Sequence, residues 1–142
     1  MSFKVFRFER EAKLPVRKHE GDAGYDLASA EAGSINPGDR KLVSTGLCFS
    51  VNSDNFVRIY SRSGLSCSGI DVGAGVVDSS YTGVVKVLLI NNSKNVFHYN
   101  VGDRIAQAVI HKIETPQVQE VDSVDDLGTT DRGAGGFGST GI

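Results

Sequence analysis

Apolar and polar residues alternate with a period of two along much of this chain. In segment 3–8 the odd-numbered and even-numbered residues fall on opposite faces, as in a β-strand. Further runs rich in β-branched or aromatic residues, bounded by Gly, Asn, Asp or Pro, are 42–51, 56–60, 84–90 and 105–113. Short strands separated by turns predict an all-β sandwich or barrel.

Helix is expected to be a minor component, because no segment shows an apolar stripe at helical spacing over three turns. Run 84–90 is nearly continuously apolar, which predicts a strand buried on both faces, within a sandwich or at a subunit contact. The turn-forming clusters 36–39 and 91–95 are predicted to join pairs of strands.

The regular pattern stops at Glu114, where acidic residues and then glycines take over. Such a segment cannot bury enough apolar surface to order itself alone. Extended at about 3.3 Å per residue, it would reach beyond its own domain to a neighbouring chain. We therefore predict one β-rich core domain over residues 1–128 and a flexible C-terminal arm over residues 129–142.

Composition narrows the classes of function. The net charge of -2, from 15 basic and 17 acidic residues, gives no overall basic field for nucleic acid. No apolar run approaches the roughly 20 residues of a membrane span, and the charged N-terminus does not resemble a signal peptide. The expectation is a soluble intracellular protein, with cytoplasm and nucleus not distinguished, that binds neither nucleic acid nor membrane.

Cysteine and histidine do not indicate a metal site. Cys48 and Cys67 are interpreted as free thiols rather than a disulfide, because disulfides seldom persist in reducing compartments. The three histidines, His19, His98 and His111, lie far apart and lack the spacing of metal ligands.

Five short segments contain residues suited to nucleotide chemistry. Segment 22–27 is a turn leading into a strand, with Asp26 either part of a site or an ordinary solvated acid. In segment 61–65 an Arg, serines and a Gly could hold an anion, although a surface loop would look the same. Segment 102–107 is a turn and strand in which Gln107 could donate to a phosphate oxygen if it faces inward.

The other two segments contain a candidate proton acceptor and residues that could cover a bound nucleotide. Segment 73–83 predicts a β-hairpin with Asp78 and Tyr81 close together near its tip, where the carboxylate could accept a proton from water. A structural Asp with a packed Tyr is the competing interpretation. Segment 132–141 combines glycines, Arg132, two hydroxyls and Phe137, and so could wrap phosphates and stack on a base. It is not a Walker loop, because it lacks the lysine.

In this order the five segments resemble the five motifs of the trimeric dUTPase family. The closest matches are 23–27, 62–65, 75–78 with Tyr81 and Gly83, and the tail motif. The resemblance implies a distorted jelly-roll or barrel-like sandwich that forms a homotrimer. Its three active sites would lie at subunit interfaces, each closed by a neighbour's arm.

The resemblance also implies an activity, the hydrolysis of dUTP to dUMP and pyrophosphate with Mg²⁺ held mainly by the triphosphate. Asp78 matches the base that activates the attacking water, and Tyr81 matches the ring beneath the deoxyribose. The remaining residues that match substrate-binding positions are Gly75, Val76, Val77 and Lys86 for uracil, Arg62, Ser63, Gly64 and Gln107 for phosphates, and Arg132, Phe137, Gly138 and Ser139 in the arm.

Two positions depart from the family pattern. Ser61 stands where the family usually has Pro, which predicts a looser phosphate loop, and Ser80 replaces an acid commonly found just before the Tyr. The alternatives are a related dCTP deaminase and a non-catalytic trimeric β-module that binds nucleotide or protein.

Overall fold

Strands form where β-branched and aromatic residues cluster, and nearly all of the regular secondary structure in the described chain is strand. The computed structural model describes residues 2–142. The strands are β1 (Lys4–Arg7), β2 (Tyr25–Ala28), β3 (Gly33–Ile35), β4 (Arg40–Ser50), β5 (Asn55–Tyr60), β6 (Ile70–Gly73), β7 (Val76–Val77), β8 (Val84–Asn91), β9 (Phe97–Tyr99) and β10 (Arg104–Lys112). One α-helix, α1 (Ser63–Cys67), and one 3₁₀ helix, Val124–Leu127, complete the described part of the chain.

Two four-stranded sheets share one hydrophobic core. Their strand orders are β1-β4-β8-β6 and β2-β10-β5-β7, and β3 and β9 form a small third sheet. Val43, Val87 and Leu89 from the first sheet cluster with Leu27 and Ile59 from the second, and all five side chains are buried. The predicted all-β class is confirmed, and all five strands predicted from longer runs are present.

The sequence pattern misplaced several pairings. The turns at 36–39 and 91–95 do not join hydrogen-bonded neighbours, because β3 pairs with β9 while β4 and β8 pair with each other. The hairpin expected around Asp78 is also wrong, since β7 pairs with β5 and β8 lies in the other sheet. The chain passes from one sheet to the other at this turn, and local periodicity does not predict such a crossing.

Strand β8 is not buried on both faces. Val85, Val87 and Leu89 point into the core, whereas Lys86 is exposed and Leu88 is half-buried on the other face. Leu42, opposite Leu88 on β4, is 58% exposed. This second face is therefore partly apolar but uncovered in the single chain.

Three further features bear on the sequence predictions. Cys48 and Cys67 both carry free thiols, as predicted. In the segment after residue 113 every residue except Gly136 is exposed, and the hydrogen bonds of the arm join near neighbours only. No helix within residues 2–142 has the length and apolar character needed to cross a membrane.

Candidate active site

Strand pairing brings together three of the candidate segments. Gln107 on β10 lies directly opposite Asp26 on β2 and, on the other side, opposite Tyr60 on β5. Directly opposed residues share one face of a sheet, so Asp26, Gln107 and the end of β5 form one surface. Ser61 and Arg62 continue from that end of β5.

An ionic network fixes Arg62 on this surface. Arg62 Nε donates to Asp26 Oδ1 at 3.1 Å, and Arg104 Nη1 donates to Asp26 Oδ2 at 3.1 Å. Arg62 Nη1 also donates to the Arg104 carbonyl at 3.1 Å. Since the Arg62 and Asp26 side chains are 29% and 23% exposed, the network is half-buried yet open to a ligand. Arg104, the first residue of β10, belongs to this network although the sequence did not single it out as a site residue.

Gln107 is held between two of these segments. Its Nε2 donates to the Ser61 carbonyl at 2.9 Å, so one of its amide hydrogens is already engaged by the protein. Its Oε1 lies where a side chain on Gly24 would begin, because a Cβ built there would stand 2.1 Å away. Gly24 is therefore required for close packing in the 22–27 turn, a role that the sequence alone did not reveal.

A separate cavity of about 380 Å³ is lined in part by residues 74–78, 81 and 84–86. Its lining includes the candidate residues Gly75, Val76, Val77, Asp78, Tyr81 and Lys86, together with apolar side chains such as Ile59 and Leu42. Within the described chain, neither Arg62 nor Gln107 lines this cavity. The candidate residues therefore fall into two groups, here called the two half-sites, which do not share a cavity in the single chain.

The backbone at Gly75 is specialised. Its φ is +101°, a region that favours glycine, and a Cβ there would stand 2.6 Å from the Ile59 carbonyl oxygen. The Ile59 N–H donates to the Gly75 carbonyl at 2.7 Å. The close approach presses segment 75–77 against β5 and shapes one wall of the cavity.

Tyr81 is fixed over the turn that follows Asp78. The Tyr81 N–H donates to the Asp78 carbonyl at 3.0 Å, which closes a tight turn. Its hydroxyl donates to the Val84 carbonyl at 2.9 Å, and the ring lies against Gly83, where a Cβ would stand 2.6 Å from that hydroxyl. The ring remains 46% exposed, so it offers a rigid face at the cavity mouth.

The predicted arm residues form no hydrogen bond with either half-site in the described part of the single chain, and none of them lines the 380 Å³ cavity. Arg132 Nε donates to the Gly135 carbonyl at 2.8 Å, and Phe137 is fully exposed at a φ of +51°. Gly138 also has a positive φ, and the Ser139 N–H bonds to the nearby Gly136 carbonyl. These contacts show a turn-rich segment whose aromatic ring has nothing covering it.

Comparison with known proteins identifies the family. The family model for dUTPase matches residues 10–141. This chain belongs to the dUTPase family. It is 50% identical over 139 residues to the deoxyuridine 5'-triphosphate nucleotidohydrolase of Cowpox virus (strain GRI-90 / Grishak), covering 96% of this chain and 92% of that protein. The protein of the same name from Vaccinia virus (strain Copenhagen) is 48% identical with the same coverage.

Solved dUTPase structures have the same fold. The dUTPase of Staphylococcus bacteriophage 80alpha with dUPNHPP superimposes with a TM-score of 0.91 at 27% identity, over 99% of each chain. A variant of the dUTPase from phage phi11 of S. aureus, described as revealing the coordination of a structural Mg(II) ion, gives a TM-score of 0.82 at 25% identity, over 88% of this chain and 99% of that one. The chain is therefore a dUTPase-family enzyme.

Proposed function

We propose that this dUTPase-family enzyme hydrolyses dUTP to dUMP and pyrophosphate, with Asp78 activating the water that attacks the α-phosphorus. The observation that carries the proposal is the position of the Asp78 carboxylate. It lies exposed at a cavity lined by backbone, an aromatic ring and Lys86. A carboxylate oxygen within reach of a bound water can accept a proton from it.

The cavity is proposed to bind uracil and to distinguish it from cytosine. The Gly75–Val77 backbone and Lys86 supply polar groups to the cavity, whose lining also includes apolar side chains such as Ile59 and Leu42. Uracil has an acceptor at O4 and a donor at N3, whereas cytosine reverses both. Cytosine would leave buried groups unpaired, and a mismatch of this kind discriminates strongly.

Tyr81 is proposed to select deoxyribose. Its hydroxyl bond to Val84 and its contact with Gly83 hold the ring in one orientation. A sugar packed flat on that ring would have no space for a 2′-hydroxyl. The enzyme therefore takes dUTP in preference to UTP.

The second half-site is proposed to bind the phosphates through Arg62, Ser63, Gly64 and Gln107. Arg62 uses Nε and Nη1 for protein contacts, and within residues 2–142 its Nη2 forms no hydrogen bond, so it can face a phosphate oxygen. Gln107 keeps a second amide hydrogen beyond the one given to Ser61. Arg132, Phe137, Gly138 and Ser139 of the arm would then cover the base and phosphates.

The residues present suit Mg²⁺ carried by the substrate. The described chain holds no group of three or more His, Cys, Asp or Glu side chains that could form a protein cage for a metal. Both oxygens of Asp26 already accept hydrogen bonds from arginines, so its role is to orient Arg62 and Arg104. Mg²⁺ keeps waters and prefers substrate phosphates, and there it would neutralise charge on the leaving pyrophosphate.

A complete site is proposed to need more than one copy, as in a homotrimer. Val77 pairs with Val57 near the start of β5, whereas Arg62 follows the end of β5. At roughly 3.3 Å per residue, Asp78 and Arg62 of one chain lie about 20 Å apart along the strand. Adjacent phosphates of one substrate cannot bridge that distance, so Asp78 of one copy faces Arg62 of another.

Exposed apolar side chains support such contacts. Phe6 and Phe8 are 65% and 64% exposed, and Leu42 is 58% exposed on the uncovered face of the first sheet. Phe6 and Phe8 line an apolar groove that continues to Val84 beside the Tyr81 turn. Large exposed apolar surfaces mark association sites. We propose that residues 1–128 form the core domain of each copy and residues 129–142 the arm that closes a neighbour's site.

The activity is tested by pyrophosphate release with dUTP, dCTP, dTTP and UTP, with and without Mg²⁺. The expected result is Mg²⁺-dependent release from dUTP alone. Ammonia release from dCTP would instead identify a deaminase. Nucleotide binding without turnover of any of the four would identify a binding module.

The shared site is tested by mixing two inactive variants, Asp78→Asn and Arg62→Ala. Mixed oligomers, formed by refolding the two together, should regain activity because some sites receive both intact residues. Each variant refolded alone serves as the control. Light scattering should give the mass of three chains. Mixed oligomers that stay inactive would contradict a site shared between copies.

A further inference from the structure

Ser61 joins the phosphate loop to both large sheets. It lies between the end of β5, in one sheet, and Arg62, the residue that caps α1. Its hydroxyl oxygen accepts a hydrogen bond from the Val72 N–H at 2.9 Å. Val72 belongs to β6, the edge strand of the other sheet. One side chain therefore ties the loop to the neighbouring sheet.

The main chain of Ser61 is held by a second hydrogen bond. Its carbonyl accepts from Gln107 Nε2 at 2.9 Å, and Gln107 lies on β10. The residue is half-buried, so both bonds are partly shielded from water. Side chain and main chain are thus fixed by two groups that are distant in sequence. The hydroxyl thus supplies a constraint of its own on a loop that the departure from Pro predicts to be looser.

The orientation of Ser61 determines how Arg62 leaves the strand. Arg62 has an extended backbone, with φ −86° and ψ 138°, and its side chain reaches Asp26. Ser63 follows as the first residue of α1. Rotation of the peptide between Ser61 and Arg62 would move the guanidinium away from Asp26 and turn Ser63 with it.

We propose that Ser61 is a positioning residue for the triphosphate, acting through its hydroxyl bond to Val72 to direct Arg62 and Ser63 at the phosphates. The inference rests on the proposed function, in which those two residues bind phosphate. Ser61 itself touches no substrate. It contributes nothing to the recognition of uracil, which belongs to the other half-site.

The test compares two ligands that share the nucleoside. The non-cleavable analogue dUpNHpp carries the phosphate chain and deoxyuridine lacks it. Ser61→Ala should weaken dUpNHpp binding about 3- to 10-fold, the range expected for one hydrogen bond. Deoxyuridine affinity should not change. In turnover, KM for dUTP should rise more than kcat falls.

Two further serine variants serve as matched comparisons. Ser61→Thr keeps the hydroxyl and should restore dUpNHpp affinity. Ser34→Ala removes an exposed hydroxyl from β3, remote in sequence from the phosphate-binding segments, and should leave both affinities unchanged. Unchanged dUpNHpp binding in Ser61→Ala, or an equal loss for deoxyuridine, would overturn the positioning role.

Arg62→Ala separates this inference from the proposed function. If Arg62→Ala loses dUpNHpp affinity while Ser61→Ala does not, only the positioning role is refuted. If Arg62→Ala binds dUpNHpp normally, the phosphate assignment itself is wrong.

Discussion

Arg62 Nε lies 3.1 Å from Asp26 Oδ1, although the two residues are 36 positions apart in the chain. The second Asp26 oxygen accepts from Arg104. One carboxylate therefore aligns two guanidinium groups on the same surface. Paired charge-assisted hydrogen bonds restrict orientation as well as adding energy.

Asp26→Asn should raise KM for dUTP while the fold is retained. The amide keeps one acceptor but loses the negative charge, so both arginines become mobile. We expect dUTP binding to weaken on the order of tenfold. Steady-state kinetics and dUpNHpp binding measure it. Asp54→Asn is the control, because it alters an exposed carboxylate that pairs with Lys112 at 3.7 Å and accepts from Asn55 Nδ2 at 2.7 Å, and neither partner is a candidate site residue. Equal effects of the two variants would contradict a site role for Asp26.

Asp78→Asn should nearly abolish hydrolysis of dUTP. Loss of a general base typically costs about 10² to 10⁴ in rate. Because Asp78 is exposed, the thermal unfolding midpoint and the oligomer should be unchanged. Pyrophosphate release is measured beside Asp39→Asn, which alters an exposed carboxylate in a different turn. Wild-type turnover in Asp78→Asn would end the general-base assignment.

Tyr81→Ala should lower the preference for dUTP over UTP. Removing the ring opens space for a 2′-hydroxyl, and we expect the ratio of kcat/KM values to fall roughly tenfold or more. Tyr81→Phe keeps the ring and loses only the bond to Val84, so it should retain most of the preference. If both variants discriminate as well as wild type, another group excludes the ribonucleotide.

Deleting residues 130–142 should cripple turnover without lowering the thermal unfolding midpoint. Those residues, apart from half-buried Gly136, are exposed and form local hydrogen bonds only. Within the full chain, Phe137→Ala should reproduce much of the loss if the ring stacks on the base. Ile142→Ala, an equally exposed position, is the control. An unchanged rate after deletion would remove the arm from the mechanism.

Asp71 should give a small stability increment that disappears in acid. Hydrogen bonds from the Ser66 hydroxyl and then from Asn92 Nδ2, at 3.1 Å, lower the pKa of Asp71 below its ordinary value of 3.8. A depressed folded-state pKa means that the increment is present above 3.8 and lost as pH falls through the folded pKa. Because the group is near the surface, solvent keeps the effect small.

Thermal unfolding across pH checks this expectation. The difference in thermal unfolding midpoint between wild type and Asp71→Asn should be largest near neutral pH and should shrink in acid. Ser66→Ala, which removes the larger contribution, should show a similar change. A difference that grew as the pH fell would contradict the sign of the pKa shift.

The sequence by itself determined the fold class and the five longer strands, and it marked the segments that are proposed to carry chemistry. These are local properties, since period-two alternation and turn-forming residues act over a few positions. Segment 105–113, for example, is observed as β10 with shifted ends. Motif resemblance added the roles of Asp78 and Arg62 as hypotheses.

Only the tertiary structure decided which segments meet. The pairing of β10 with both β2 and β5 places Gln107 between Asp26 and Tyr60, and the pairing of β7 with β5 puts Asp78 at the far end of that strand from Arg62. Strands of two to four residues, such as β6 and β7, are too short to show periodicity. Their partners are chosen by burial and hydrogen bonding across the whole chain, which no local pattern records.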